Sequence, residues 1–194
     1  MAELDLSVIT STLVSLDPEP TVEPTPAVEP VRLLLPSPIG TLGLELQGAV
    51  LTRLVLSPPP KERKLFQPLG RMGVTDEVDE VVGRLSEYFA GARRGLELEY
   101  DLGPSGVDAF ARRVLKETTR VGFGRTRTYK EIAAAVGRPT AYRLVVSILL
   151  ANPIPILLPC HRVVPSKAGI GGYVGGEAKK RWLLRLERMA PTVG

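Results

Sequence analysis

The chain holds one cysteine and one histidine, and they are adjacent, Cys160 and His161. Cysteine attacks as the thiolate, and a neighbouring base or a positive environment is the usual means of populating that form near neutral pH. The pair therefore indicates a nucleophilic centre. The alternative is a buried structural thiol beside a core histidine, and the flanking residues disfavour it.

Those flanking residues predict a rigid site. Pro153, Pro155 and Pro159 stiffen the approach to the cysteine, and the apolar residues between them predict a buried, strand-like segment that ends at Cys160. Asn152 can bond back across the turn through its side-chain amide. After the pair, residues 169–176 hold five glycines and Tyr173. Such a loop lets backbone groups approach a planar ligand closely.

The elements that would position this site predict an α+β chain. A proline-rich leader over residues 1–30 precedes three short strands, around 32–35, 42–46 and 50–56, and a helix over 78–90. These form a small N-terminal domain over 31–102, and residues 102–106 read as a linker to a helical domain over 107–190.

The second domain begins with a helix over 108–120. A capping box, Thr128 to Glu131, opens a short helix from Tyr129. Pro139 then suits the first position of another helix, from about Thr140 to Leu150. Two short helices joined in this way predict a helix-turn-helix. Leu144 and three neighbours on the second of these helices can face the core, but Val146 and Leu150 make it apolar nearly all round. A last helix runs over 179–188.

Composition narrows the classes of function. Residues 1–107 carry 9 Lys and Arg against 16 Asp and Glu, whereas residues 108–194 carry 16 against 5. The cysteine thus lies in a basic half, which is typical of a nucleic-acid partner or of a solvated basic surface. One cysteine and one histidine cannot make a structural zinc site, so we expect no metal and no cofactor. With no apolar run of membrane-spanning length and no disulfide, we expect a cytoplasmic monomer, nucleoid-associated in a prokaryote.

The motifs together resemble the O6-alkylguanine-DNA alkyltransferase family. The resemblance rests on Pro159-Cys-His-Arg-Val163, on Asn152-Pro-Ile-Pro155 before it and on the glycine-rich loop after it, and it covers about residues 107–188. It implies that double-stranded DNA carrying O6-alkylguanine is the partner, that the base is flipped out, and that its alkyl group passes irreversibly to the cysteine. Alkyl transfer from O4 of thymine would be a related activity. The N-terminal half resembles the family's RNase-H-like domain in outline.

The same resemblance implies roles for individual residues. Cys160 would be the nucleophile, His161 the base acting through a water, Glu187 its orienting partner, Asn152 the brace of the turn and Tyr129 a donor to the leaving base. Arg143 would fill the space that the guanine vacates. The DNA-facing set is Thr140, Ala141, Tyr142, Arg143 and Val146. The pocket set is Pro155, Val163, Tyr173 and Val174, of which the Val163 carbonyl and the Val174 amide would read the guanine edge.

Two features depart from the family pattern. Tyr142 and Val146 are bulkier than the small residues that many relatives place on this helix, and Val174 replaces a serine of some relatives. Two other functions stay open. An alkyltransferase-like protein would recognise the lesion without transfer, but relatives of that kind replace the cysteine. A cysteine hydrolase would need a histidine that faces the sulfur directly, which is awkward for adjacent residues.

Overall fold

The computed structural model describes residues 29–69 and 75–189, so nearly all of the predicted leader lies outside the described residues. The fold is α+β, as predicted. The strands are β1 Val31–Leu35, β2 Leu42–Gln47, β3 Val50–Leu56, β4 Gln67–Pro68, β5 Arg127–Thr128 and β6 Val163–Val164. The helices are α1 Pro60–Arg63, α2 Asp76–Phe89, α3 Ala109–Thr119, α4 Tyr129–Ala135, α5 Tyr142–Leu150 and α6 Glu177–Met189.

The N-terminal half is built on a four-stranded sheet in the order β3-β2-β1-β4. Strands β1, β2 and β3 are antiparallel neighbours, while β4 pairs parallel to β1. The register sets Leu33 opposite Leu44 and Leu44 opposite Leu54, and all three are buried. Because side chains alternate along a strand, this register gives the sheet one continuous apolar face.

Helix α2 supplies further apolar residues to the core. Val78, Val81, Leu85 and Tyr88 recur at helical spacing and are buried. Helix α2 ends at Phe89, and Gly91 follows in the left-handed conformation. The predicted helix over 78–90 is therefore confirmed, although it starts two residues earlier.

The helical half begins with two capped helices. The Asp108 side chain accepts a hydrogen bond from the amide of Ala111 at the start of α3. Both bonds of the predicted capping box are present between Thr128 and Glu131. Each cap satisfies backbone amides that have no partner within the helix.

Helix α5 differs from the prediction at its start and on one face. It begins at Tyr142, because the amide of Ala141 bonds to the Arg138 carbonyl in a turn that also holds Pro139 and Thr140. Pro139 therefore lies inside this turn and is not a first helical residue. Leu144 was expected to face the core, but it is 46% exposed; Val145 and Leu149 carry the packing instead.

The two halves are joined by hydrogen bonds as well as by apolar packing. The amide of Leu54, in β3, donates to the carbonyl of Pro153 at 2.8 Å. The N-terminal sheet thus binds the chain one residue after Asn152. In the part of the chain that the structure describes, no helix is long and apolar enough to cross a membrane, and no group of three or more metal-binding side chains occurs.

Candidate active site

Three chain segments converge on Cys160. The cysteine opens a 3-10 turn, Cys160–Arg162, which leads directly into β6. Strand β6 pairs parallel with β5, so that Arg127 lies opposite Val163 and Thr128 opposite Val164. This pairing, which the sequence did not predict, brings the first residue of α4 beside the segment that follows the cysteine. Helix α6 packs against the same turn.

The segment before the cysteine is a turn braced by Asn152. The Asn152 amide nitrogen donates to the Leu158 carbonyl at 2.8 Å and to the Cys160 sulfur at 3.1 Å, and its oxygen accepts from the Ile154 amide at 3.0 Å. The strand-like prediction for this segment is wrong. Its prolines remove backbone donors, and Ile156 has a φ of 77°, which no strand allows.

Ile156 gives the brace a physical purpose. A branched, non-glycine residue in the left-handed region costs on the order of 1–3 kcal/mol and persists only where its surroundings determine it. Ile156 is 2% exposed, and Asn152 bonds to residues on both sides of it. The asparagine side chain replaces the ladder bonds that a strand would have provided.

His161 is fully buried and points away from solvent toward α6. Its Nε2 lies 2.8 Å from Oε1 of Glu187. Burial lowers the pKa of His161, although the hydrogen bond and charge of Glu187 oppose that shift. A neutral imidazole that faces a carboxylate through Nε2 carries its proton there, which leaves Nδ1 as the basic nitrogen. Among the described residues Nδ1 has no hydrogen-bond partner.

Glu187 is the centre of a buried ionic network. Besides His161, it accepts hydrogen bonds from the Arg162 guanidinium at 2.9–3.1 Å, from the Tyr88 hydroxyl at 2.8 Å and from the Gly124 amide at 3.1 Å. Burial alone would raise the pKa of Glu187. The bonds and charges of His161 and Arg162 outweigh it and hold that pKa at about 2.

Tyr88 and Arg162 were not assigned a role from the sequence. Arg162 stands inside the motif around the cysteine, so its position was a usable signal. Tyr88 lies on the apolar stripe of α2 and reaches a carboxylate 99 residues further along the chain. Nothing in the local pattern distinguishes its hydroxyl from that of an ordinary core tyrosine.

The Cys160 thiol is held in its neutral form when the protein is alone. The residue is 3% exposed, and burial raises the pKa of its thiol to about 11, although the Asn152 hydrogen bond and the Lys180 charge oppose the rise. A thiol with this pKa is almost entirely protonated at neutral pH. Reaction at Cys160 therefore requires proton removal in step with the attack.

Lys180 is a buried cation to which the sequence pattern alone assigned no role. Its Nζ donates to the carbonyls of Val163 at 2.6 Å and Gly172 at 3.2 Å, and to the Tyr129 hydroxyl at 3.4 Å. Burial lowers the pKa of its ammonium to about 8, while the cysteine opposes that shift. Lys180 precedes Glu187 by two helical turns, so their spacing on one face of α6 was the available signal.

Two tyrosines border the cysteine. The Tyr129 hydroxyl lies 3.4 Å from the Gly172 carbonyl, and a Cβ at Gly171 would come within 2.5 Å of that hydroxyl, so this position requires glycine. Tyr173 is buried with its ring edge-to-face to His161 at 6.3 Å. Its hydroxyl has no hydrogen-bond partner within the described ranges. Burial raises the pKa of both tyrosines, so each keeps its proton.

The residues predicted to face DNA lie together at the start of α5. Thr140 and Arg143 are exposed, while Ala141, Tyr142 and Val146 are half-buried. The Arg143 guanidinium lies 5.4 Å from the centre of the Tyr142 ring. This contact holds the arginine at the helix surface, where it forms no ion pair with any residue that the structure describes.

The remaining predicted pocket residues are placed differently from one another. Pro155 is buried in the turn that Asn152 braces. The Val163 carbonyl oxygen accepts a hydrogen bond from Lys180, which leaves its second lone pair available for another donor. Val174 is 40% exposed and borders a cavity of about 410 Å³ between β3 and Asn152. The structure thus brings Cys160, His161, Asn152, Glu187, Tyr129 and Tyr173 together, with Val174 at the edge of the group.

The chain has relatives of known family. Residues 109–189 match the model of the 6-O-methylguanine DNA methyltransferase DNA-binding domain. A methylated-DNA–protein-cysteine methyltransferase of Mycobacterium tuberculosis is 38% identical over 156 residues, which cover 79% of this chain and 90% of the relative. The corresponding protein of Methanosarcina barkeri is 43% identical over 108 residues, 56% of this chain and 66% of the relative.

Solved structures agree with this similarity. The crystal structure of the M. tuberculosis O6-methylguanine methyltransferase superposes with a TM-score of 0.73 at 34% identity, covering 85% of this chain and 96% of that one. The M. tuberculosis protein OGT in complex with DNA gives a TM-score of 0.70 at 36% identity, covering 83% and 95%.

Proposed function

Since the chain belongs to the methylated-DNA–protein-cysteine methyltransferase family, we propose that it repairs DNA by moving the alkyl group of an O6-alkylguanine to Cys160. The observation that carries the assignment of residues is a pair of buried hydrogen bonds at consecutive residues, Asn152 to the Cys160 sulfur and His161 to Glu187. The product is a thioether that the protein cannot cleave. The transfer is therefore irreversible, and each molecule acts once.

His161 is proposed as the base that activates the thiol. Its Nδ1 is the unprotonated ring nitrogen, and one water between Nδ1 and the sulfur would carry the proton from Cys160. Glu187, with a pKa held at about 2, remains charged and stabilises the imidazolium that forms. The sulfur then attacks the alkyl carbon, the S–C bond forms, and the bond from that carbon to O6 breaks.

The departing guanine keeps the electron pair of the broken bond and takes up a proton. Tyr129 is proposed to donate this proton, because its ring borders the cysteine and the raised pKa of its hydroxyl keeps it protonated until the base becomes more basic. The Nζ of Lys180 donates to this hydroxyl at 3.4 Å. The Val163 carbonyl and the Val174 amide are proposed to read the guanine edge. An alkyl group on O4 of thymine presents the same kind of bond and is proposed as a second substrate.

Base flipping is required by the burial of the nucleophile. Cys160 is 3% exposed, so an O6 atom stacked inside a duplex cannot reach it. We infer that the exposed start of α5 lies in the minor groove and that Arg143 fills the space of the flipped base. A mostly apolar helix suits that groove, because the pattern of hydrogen-bonding groups there carries little sequence information.

The test is intact mass after incubation with a duplex that contains one O6-methylguanine. We expect a gain of one CH2 unit that maps to Cys160 and is absent from the Cys160→Ala variant. Arg143→Ala is expected to slow transfer from the duplex while leaving the unfolding temperature unchanged, since Arg143 is exposed. Tight lesion binding without a mass gain would instead identify a recognition protein that transfers nothing.

A further inference from the structure

A basic cavity lies on the face of α6 that is turned away from the cysteine. It has a volume of about 480 Å³ and is bordered by α6, by β6 and by the first residues of the glycine-rich loop. Three arginines of α6 line it at successive turns, Arg181, Arg185 and Arg188. Side chains four and three residues apart lie on one helix face, so the three positive charges converge on one hollow.

The charge of this cavity is largely uncompensated. No carboxylate of the described residues lines it, and the carboxylate of Glu177, one turn before Arg181, pairs with that arginine. Within the described ranges, the side chains of Arg185 and Arg188 make no hydrogen bond or ion pair. Like charges placed together without a counter-ion repel each other, and an anion in the cavity would relieve that repulsion.

The rest of the lining suits a sugar–phosphate chain. Leu184 and Val164 give the cavity apolar walls, Ile170 stands at its rim, and Thr126 contributes a hydroxyl. A phosphodiester backbone alternates charged phosphates with apolar sugar faces, and guanidinium groups bind phosphate oxygens in pairs. DNA is favoured over an acidic peptide because residues 109–189 match a DNA-binding domain and a similar protein has been solved in complex with DNA.

The cavity is also connected to the reactive centre. Val164 follows the Cys160–Val163 segment directly, and Gly169 and Ile170 begin the loop whose next two residues contact Tyr129 and Lys180. Lys180 and Arg181 are consecutive, so that one faces the site and the other faces the cavity. A strand held here would be bound to the same elements that carry Cys160.

We propose that this Arg181–Arg185–Arg188 cavity binds a phosphodiester backbone segment of the substrate DNA, as a second contact surface beside α5. The proposal rests on the proposed function, because it takes DNA as the ligand. The ligand chemistry is phosphate, and free inorganic phosphate is the competing source. The cavity would add affinity that is independent of sequence and lesion.

The test measures how the affinity for a lesion-free duplex falls with salt. A plot of the logarithm of the DNA association constant against the logarithm of salt concentration has a negative slope. The variant Arg181→Gln/Arg185→Gln/Arg188→Gln is expected to make that slope shallower by about two to three, since each neutralised phosphate contributes about 0.9. The double variant Arg185→Gln/Arg188→Gln, which keeps the Glu177 pair, is expected to make it shallower by about two. The matched control is Lys61→Gln/Arg63→Gln/Lys64→Gln, which removes three exposed charges from the N-terminal half and leaves the slope unchanged.

Each outcome has one meaning. Equal slopes in all proteins, or an equal fall in the control, would overturn the cavity as a DNA contact. A thermal stabilisation by inorganic phosphate that only the cavity variants lose, with an unchanged DNA slope, would assign the cavity to free phosphate and also overturn the proposal. If the wild type binds DNA with the arginine-dependent slope but gains no methyl, the transferase proposal fails and the cavity stands.

Discussion

Replacing Glu187 by glutamine tests whether the buried network stabilises the fold. The substitution keeps the size of the side chain and removes its charge. It leaves the Arg162 guanidinium, which is 9% exposed, beside a neutral amide. Since Glu187 is itself fully buried, water cannot take over the role of the lost carboxylate.

The structure gives the magnitude by two routes. The pKa of Glu187 falls from 4.5 to about 2, and a shift of that size corresponds to about 3 kcal/mol in the free energy of unfolding at neutral pH. Removing one partner of a buried ion pair costs about 3–5 kcal/mol in other proteins. We therefore expect Glu187→Gln to lower the free energy of unfolding by about 3 kcal/mol.

The sign of the pH dependence follows from the lowered pKa. A carboxyl group whose folded pKa is depressed contributes its stabilisation above its unfolded pKa and loses it as the pH falls toward the folded value. The difference between wild type and Glu187→Gln should thus be full at pH 7 and shrink between pH 4.5 and about 2. Urea unfolding followed by circular dichroism at several pH values measures it.

Glu177→Gln is the matched control on the same helix. Its partner Arg181 and Glu177 itself are both 56% exposed, so the pair is screened by solvent and the substitution should cost less than about 1 kcal/mol. The reasoning is refuted if the two variants lose similar stability at pH 7. It is refuted equally if the Glu187→Gln difference does not shrink on acidification.

Three further predictions concern neighbouring groups. Tyr88→Phe removes one donor to the same carboxylate and should lower the free energy of unfolding by about 1–2 kcal/mol, measured by urea titration, with at most a few-fold change in transfer rate. A large loss of transfer without a loss of stability would contradict this structural role. Asn152→Ala removes the hydrogen bond to the Cys160 sulfur and should raise the pKa of that thiol further above its value of about 11. Iodoacetamide labelling of Cys160 at alkaline pH should then be slower than in the wild type. Faster labelling at an unchanged unfolding temperature would contradict this prediction. Lys180→Met should remove a pH dependence of the free energy of unfolding. Since the pKa of Lys180 in the folded protein is lowered to about 8, the wild type should gain stability relative to the variant as the pH rises from 8 to 10. A difference in free energy of unfolding that does not change over this pH range would show that the buried ammonium is not destabilised.

The sequence was sufficient for the features that short-range patterns determine. The family and the α+β class are confirmed, and the capping box at Thr128 and Glu131 forms as predicted, because a cap is set by residues three apart. The domain boundaries and the roles of individual site residues stay predictions.

What the sequence could not provide depends on long-range contacts. The parallel pairing of β5 with β6 and the bond from Tyr88 to Glu187 join segments far apart in the chain, so no local periodicity indicates them. The error at Ile154–Leu158 has another cause. An apolar run is typical of a strand, but the prolines on either side of it, Pro155 within it and the positive φ of Ile156 make it a turn, which the Asn152 side chain braces.

The contacts across the two halves bear on how such a protein can change in evolution. Leu54 bonds to the residue that follows the asparagine brace, and Tyr88 bonds to the carboxylate beside the histidine. A recombination event that joined a foreign N-terminal half near residue 105 would keep these two bonds only if that half offered donors in the same two places. The two halves are therefore expected to evolve together. We expect chimaeras to function only where the foreign N-terminal half presents a hydroxyl in the place of Tyr88 and a free strand amide in the place of Leu54.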